Sequence, residues 1–151
     1  MNDNQKCGGR GGLTCRTMAL PKKVLLWQND PSRKCEVRLD FRCLCTTDNV
    51  IYLFVCNLCQ HNRSFYVGQT VNSCRTRVNG HRGKFHISEY MKSALSYHIF
   101  NDHPDHAQHK LKNFSAGIIK TTSPSSLDRQ EDFYIEHTNA ELSLNRYKVI
   151  A

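Results

Sequence analysis

Apolar positions along the chain fall into a few short patterned runs separated by polar loops. From Val50 to Val55 the run "VIYLFV" is unbroken and rich in β-branched and aromatic residues, which predicts a buried strand. "SFYVG", Ser64 to Gly68, predicts its hairpin partner, with a Cys-x-x-Cys knuckle in the connecting loop. "KCEVRLDFRCLC", from Lys34, alternates well enough for a strand, and "NFSAGIIK", from Asn113, predicts a third strand.

Helical periods occupy the remaining patterned segments. "VNSCRTRVNGHRGK" reads as a polar helix capped near Asn72 or Ser73, although Gly80 inside it costs about 1 kcal/mol relative to alanine. In "SEYMKSALSYHIF" the residues Met91, Ala94, Leu95, His98 and Ile99 form a helical stripe, with Ser88 as candidate cap and Pro104 beyond the end. "SSLDRQEDFYIEHT" predicts a last helix opened by Ser125, with Asp128 three residues on. The order β-β-α-α-β-α from Val50 onward describes an α+β (α/β) domain, a small three-stranded, mainly antiparallel sheet flanked by helices. No internal repeat is visible.

Charge changes the picture at the N-terminus. Residues 1–34 hold seven Lys/Arg, two acids, the glycine-rich "CGGRGG" and no sustained period. They read as a flexible basic arm, with order beginning near Cys35 and the folded domain spanning 35–151. The whole chain of 151 residues has a net charge of +8 and 39% hydrophobic residues. That suits one domain plus a tail, with a modest core of the size that often recruits a metal. The charge favours a polyanionic partner, nucleic acid first and an anionic membrane surface second. No run approaches the roughly 18 apolar residues of a membrane span. The first residues lack the apolar stretch of a signal peptide, so an intracellular location is expected, nuclear in a eukaryote. Eight cysteines in that setting point to reduced thiols, some of them metal-binding, rather than to a disulfide framework. A secreted, disulfide-bonded protein would need the missing signal.

Several side chains carry candidate chemistry. Glu131 falls in the apolar stripe formed by Leu127, Tyr134 and Ile135, where a carboxylate needs a cation, a hydrogen-bond network or solvent. A place at the edge of the stripe, or pairing with an arginine, is the alternative. Arg77 and His81 are i, i+4 neighbours that can converge on one substrate group, a phosphate for the arginine fork and a proton for the imidazole. The plain alternative is a solvated basic face. Cys56 and Cys59 have metal-knuckle spacing, and His98 with His103 can close a Cys2His2 zinc site. The separation between Cys59 and His98 is far longer than in a zinc finger of ordinary spacing, and His98 also suits a core position. His106, His109 and, more weakly, Asp105 are competing ligands.

Taken together, these residues resemble the GIY-YIG nuclease superfamily. "VIY" (Val50–Tyr52) matches its first motif and "YVG" (Tyr66–Gly68) its second. The helix arginine falls at Arg77, the metal-binding glutamate at Glu131 in "RQEDFYI", and the late asparagine at Asn145 in "SLN". The likeness is closer still to the endonuclease domain of Penelope-like retroelements, in which a Cys-x-x-Cys sits between the tyrosine motifs and paired histidines follow. Val50 departs from the first glycine of the superfamily name. No reverse transcriptase lies within these 151 residues, which leaves a stand-alone domain, a domesticated copy or an excised fragment.

The resemblance implies a metal-dependent DNA endonuclease that hydrolyses a phosphodiester. Glu131 would hold one Mg²⁺ (or Mn²⁺), and Tyr52 would activate or position the attacking water. Tyr66 would hydrogen-bond within the site, Arg77 would stabilise the developing charge, His81 would assist proton transfer and Asn145 would orient its neighbours. Tyr52, Tyr66, Arg77 and Glu131 are expected to line one concave face. Cys56, Cys59, His98 and His103 would bind a structural Zn²⁺ that braces a sheet too small to be rigid alone. The rival reading is a zinc-braced nucleic-acid-binding module without catalysis, which has no need of the two tyrosines, the arginine and the glutamate together.

Overall fold

The computed structural model describes residues 5–6, 16–27, 34–59, 64–82, 93–105, 113–140 and 143–147, with backbone alone at 79–82 and 146–147. Its strands are β1 (Lys23–Trp27), β2 (Lys34–Arg38), β3 (Val50–Cys56), β4 (Phe65–Thr70) and β5 (Phe114–Thr121). Its α-helices are α1 (Cys74–Arg82), α2 (Ala94–Asp102) and α3 (Leu127–Thr138), with short 3₁₀ turns at Pro124–Ser126 and Leu144–Tyr147.

The unbroken apolar run of β3 is explained by its place. It is the middle strand of an antiparallel three-stranded sheet in the order β4-β3-β5, and every one of its residues is buried. Alternation along β3 divides the core into two halves. Val50, Tyr52, Phe54 and Cys56 face α1 and α2 through Cys74, Val78, Ala94, Leu95 and Ile99. Ile51, Leu53 and Val55 face α3 through Leu127, and face the β1–β2 pair through Val24, Leu26, Cys35 and Val37. The fold is therefore α+β, a three-stranded antiparallel sheet with elements packed on both faces. Among the described residues no helix is long and apolar enough to cross a membrane.

The N-terminal expectation is corrected. Residues within 1–34 form β1, which pairs antiparallel with β2, and Met18, Leu20, Val24 and Leu26 are buried. A five-residue strand offers too few alternations to register against a basic background, and the exposed Leu25 blurs them further. Order thus begins well before Cys35. The helix openings also differ in detail. Ser73 does cap α1, its hydroxyl accepting the Thr76 backbone N–H at 3.2 Å. Ahead of α3, Ser125 lies within the 3₁₀ turn, and the α-helix begins only at Leu127. Ser88 and Met91 lie outside the described residues, while Ala94, Leu95, His98 and Ile99 of the predicted stripe are all buried on α2.

Both outer edges of the sheet are closed by segments that are not strands. A bulge between Ile51 and Tyr52 interrupts the β3–β5 register, passing from the Ile51–Lys120 pair to Tyr52–Ile118. On the far side of β5, the Gln5 amide takes the place of a neighbouring strand. Its Oε1 accepts the Ile118 N–H at 2.8 Å, and its Nε2 donates to the carbonyls of Ile118 at 2.8 Å and Asp40 at 2.9 Å. On β4, Asn145 does the same for Val67, and the Ser143 hydroxyl accepts the Phe65 N–H. Such cover protects edges that would otherwise template pairing with another chain. Gln5→Ala should strip buried hydrogen bonds from Ile118 and lower stability by about 1–3 kcal/mol, measured as a shift in the denaturant midpoint. An unshifted midpoint would return residue 5 to a solvated arm.

Candidate active site and metal centre

The β3–β4 register sets Tyr52 opposite Gly68. A Cβ at residue 68 would collide with the tip of the Tyr52 ring, so glycine is what lets the phenol lie across β4 toward the sheet edge. There Arg77, from α1, donates its Nε–H to the Tyr52 hydroxyl at 3.1 Å. Tyr66 completes the group, its ring centroid 6.3 Å from that of Tyr52. Arg77 itself is exposed, so a cation anchored on two phenols is offered to solvent.

Electrostatics refine the roles these residues can play. Burial pushes the Tyr52 phenol well above its ordinary value, neighbouring Tyr66 adds to the rise, and Arg77 pulls only partly against it. Tyr52 is therefore protonated at neutral pH. Of the two expected roles, positioning a water suits it and accepting a proton does not. The Tyr52 and Tyr66 phenols in turn strengthen the hold of Arg77 on its own proton, Tyr52 most, against the opposing effect of burial.

Glu131 reaches β4 from the other side. It is 5% exposed, in the middle of the α3 stripe. The Gln69 Nε2 donates to its Oε1 at 3.4 Å and to Asp128 Oδ1 at 2.6 Å. Gly68 and Gln69 are consecutive, so the phenol and the carboxylate flank the same two residues of an outer strand, one from each face. Tyr52, Tyr66 and Arg77 thus lie together, while Glu131 approaches from the α3 side. Gln69 is not among the residues the sequence points to, and Asp128 is expected there only as part of the helix opening. The signal was present in "YVGQT", since strand alternation turns Gln69 to the face opposite Tyr66 and Gly68.

Asn145 is buried and bonds both backbone groups of Val67 at 2.8 Å, which makes it an anchor of β4. It orients the strand that carries Tyr66 and Gly68. His81 lies on α1 one turn beyond Arg77, and its side chain lies outside the described residues.

The four knuckle residues converge. Cys56 ends β3, Cys59 follows in the loop, His98 points from the buried side of α2, and His103 follows the helix. Their ligand atoms all lie within 4.8 Å of one another, with Cys59 Sγ 3.3 Å from the Nε2 of both His98 and His103. His98 is thus a buried stripe residue whose ring is also aimed at sulfur. Asp105 is exposed, and His106 and His109 lie outside the described residues. The Cys56 thiol pushes Cys59 down despite its burial, while the bond to Cys59 and then burial push Cys56 up. Two sulfurs and two ring nitrogens suit a four-coordinate metal such as zinc, and they fill its shell. No disulfide joins the described cysteines.

Comparison with protein families, with curated proteins and with solved structures finds no match for this chain.

Two measurements follow from this geometry. Protein purified without chelator should carry about one zinc per chain, and Cys59→Ser should lose it and melt earlier. A zinc-free protein with unchanged melting would contradict the brace. Tyr52 is held protonated, so the stability it contributes is complete below the ordinary phenol value of about 10 and is lost as pH rises toward its higher folded value. Tyr52→Phe should therefore flatten the alkaline limb of the stability profile, and an identical limb in the variant would contradict the burial of the phenol.

Proposed function

We propose that the chain is a metal-dependent DNA endonuclease of the GIY-YIG kind, nearest in its motifs to the endonuclease domain of Penelope-like retroelements. The observation that carries this reading is the Arg77–Tyr52 hydrogen bond laid over Gly68. It joins the first tyrosine motif, the second motif and the following helix, three parts that the sequence resemblance alone links only by order. The net charge of +8 supports a polyanionic substrate.

In this reading the exposed guanidinium of Arg77 binds a non-bridging oxygen of the scissile phosphate and offsets the charge that builds in the transition state. Tyr52, protonated, holds Arg77 and orients the attacking water by hydrogen bonding. Tyr66 lies beside Tyr52, and Asn145 fixes the strand that carries it. Proton removal falls to His81 rather than to a phenol. Glu131 would hold one Mg²⁺ or Mn²⁺, which when bound supplies charge neutralisation at the phosphate and the leaving oxygen. The Cys2His2 cluster braces the hairpin against α2 and stands outside the chemistry.

A second reading, a nucleic-acid-binding module without catalysis, is favoured by one observation. Glu131 enters from the α3 face, whereas the tyrosines and Arg77 lie on the α1 side. Nicking of plasmid DNA separates the two. Glu131→Gln should abolish Mg²⁺-dependent nicking while DNA binding persists, and Arg77→Ala should slow it by about 10²–10³. Wild-type protein that binds DNA tightly but never nicks it, across divalent metals, would favour the second reading.

A further inference from the structure

We infer that Asp102 is a positioning residue of the Cys2His2 metal centre, acting through His98. Its Oδ2 lies 2.8 Å from His98 Nδ1, on the side of the ring away from Cys59. A carboxylate can only accept, so Nδ1 carries the proton and Nε2 presents its lone pair toward the sulfurs. That is the tautomer a metal ligand needs, and a carboxylate behind the ring also raises its basicity toward the metal. His103 likewise presents Nε2, at 3.3 Å from Cys59 Sγ, so both imidazoles use the same atom.

The placement of Asp102 has no account within the helix itself. It is the last residue of α2, where the carbonyl end of the helix dipole disfavours an acid, and α2 carries no basic residue in its last turn. The side chain is 45% exposed, while the His98 ring it holds is 3% exposed. Burial alone would orient the ring only by shape, whereas the carboxylate selects its proton. The i, i+4 spacing on α2 brings the two together from one turn of helix.

The inference rests on the reading of the cluster as a metal centre, and one experiment distinguishes the two. Zinc affinity is measured by chelator competition for the wild type, Asp102→Asn and Asp102→Ala, alongside the thermal midpoint of each zinc-free protein. The wild type should bind one zinc tightly, and Asp102→Ala should weaken it by about 10–100-fold. Asp102→Asn, whose amide oxygen still accepts from Nδ1, should fall between them. The zinc-free Asp102→Asn protein, which keeps an acceptor at Nδ1, should melt with the zinc-free wild type, and any earlier melt of Asp102→Ala should be too small to account for its loss of affinity. Unchanged zinc affinity in Asp102→Ala overturns the inference and leaves the metal centre standing. An earlier melt of the zinc-free variant that accounts for the loss of affinity also overturns it, and makes Asp102 a support of the helix. A wild type that binds no zinc overturns both.

Discussion

A tyrosine ring can cross a neighbouring strand only where that strand has no side chain, and the pairing of Tyr52 with Gly68 meets this condition. Much else depends on it. The ring is buried, so its hydroxyl needs a partner, and Arg77 of α1 provides one. Burial keeps the phenol protonated against the pull of Arg77, and the two phenols help keep the guanidinium charged against burial. A buried aromatic, a strand edge and an exposed cation are thereby fixed relative to one another. On the opposite face of the same two residues, Gln69 ties β4 to the carboxylates of α3.

A sheet of three strands has an edge for every strand but one, and this molecule closes both with side-chain amides. Gln5 serves β5 and Asn145 serves β4, each bonding an N–H and a C=O of a single residue. The Cys2His2 cluster adds a third constraint, joining the end of β3 and its loop to both sides of the α2 C-terminus. These ties come from distant parts of the chain and converge on a small core. A sheet of this size gains its rigidity from such fastenings more than from its own area.

The sequence carried the central sheet and the ligand cluster plainly. The short, β-branched apolar run of β3 reads as a buried strand, and the Cys-x-x-Cys in its loop, with His98 and His103 at the second helix, was readable from residue type and spacing beside the competing His106, His109 and Asp105. Features that depend on tertiary context were hidden. Nothing local marks Gln5 as a buried plug, because its partners at Asp40 and Ile118 are brought to it by the fold. Strand β1 is too short to impose a period on a basic segment. The approach of Glu131 from the α3 face follows from which side of the sheet that helix packs on, and an apolar stripe cannot report that. Asn145 was placed by resemblance, but its pairing with the Val67 backbone needed coordinates.

The claim that Tyr52, seated over Gly68 and held by Arg77, forms the working centre is tested most directly by adding one methyl group. Gly68→Ala places a Cβ where the tip of the Tyr52 ring lies, while the four metal ligands are untouched. The rate of Mg²⁺-dependent plasmid nicking is the measurement, with zinc content as the internal control for folding. The rate should fall by about 10²–10³, as when a transition-state charge stabiliser is lost, in protein that retains its zinc. A Gly68→Ala protein that keeps both its zinc and the wild-type nicking rate would contradict this role for the seated tyrosine.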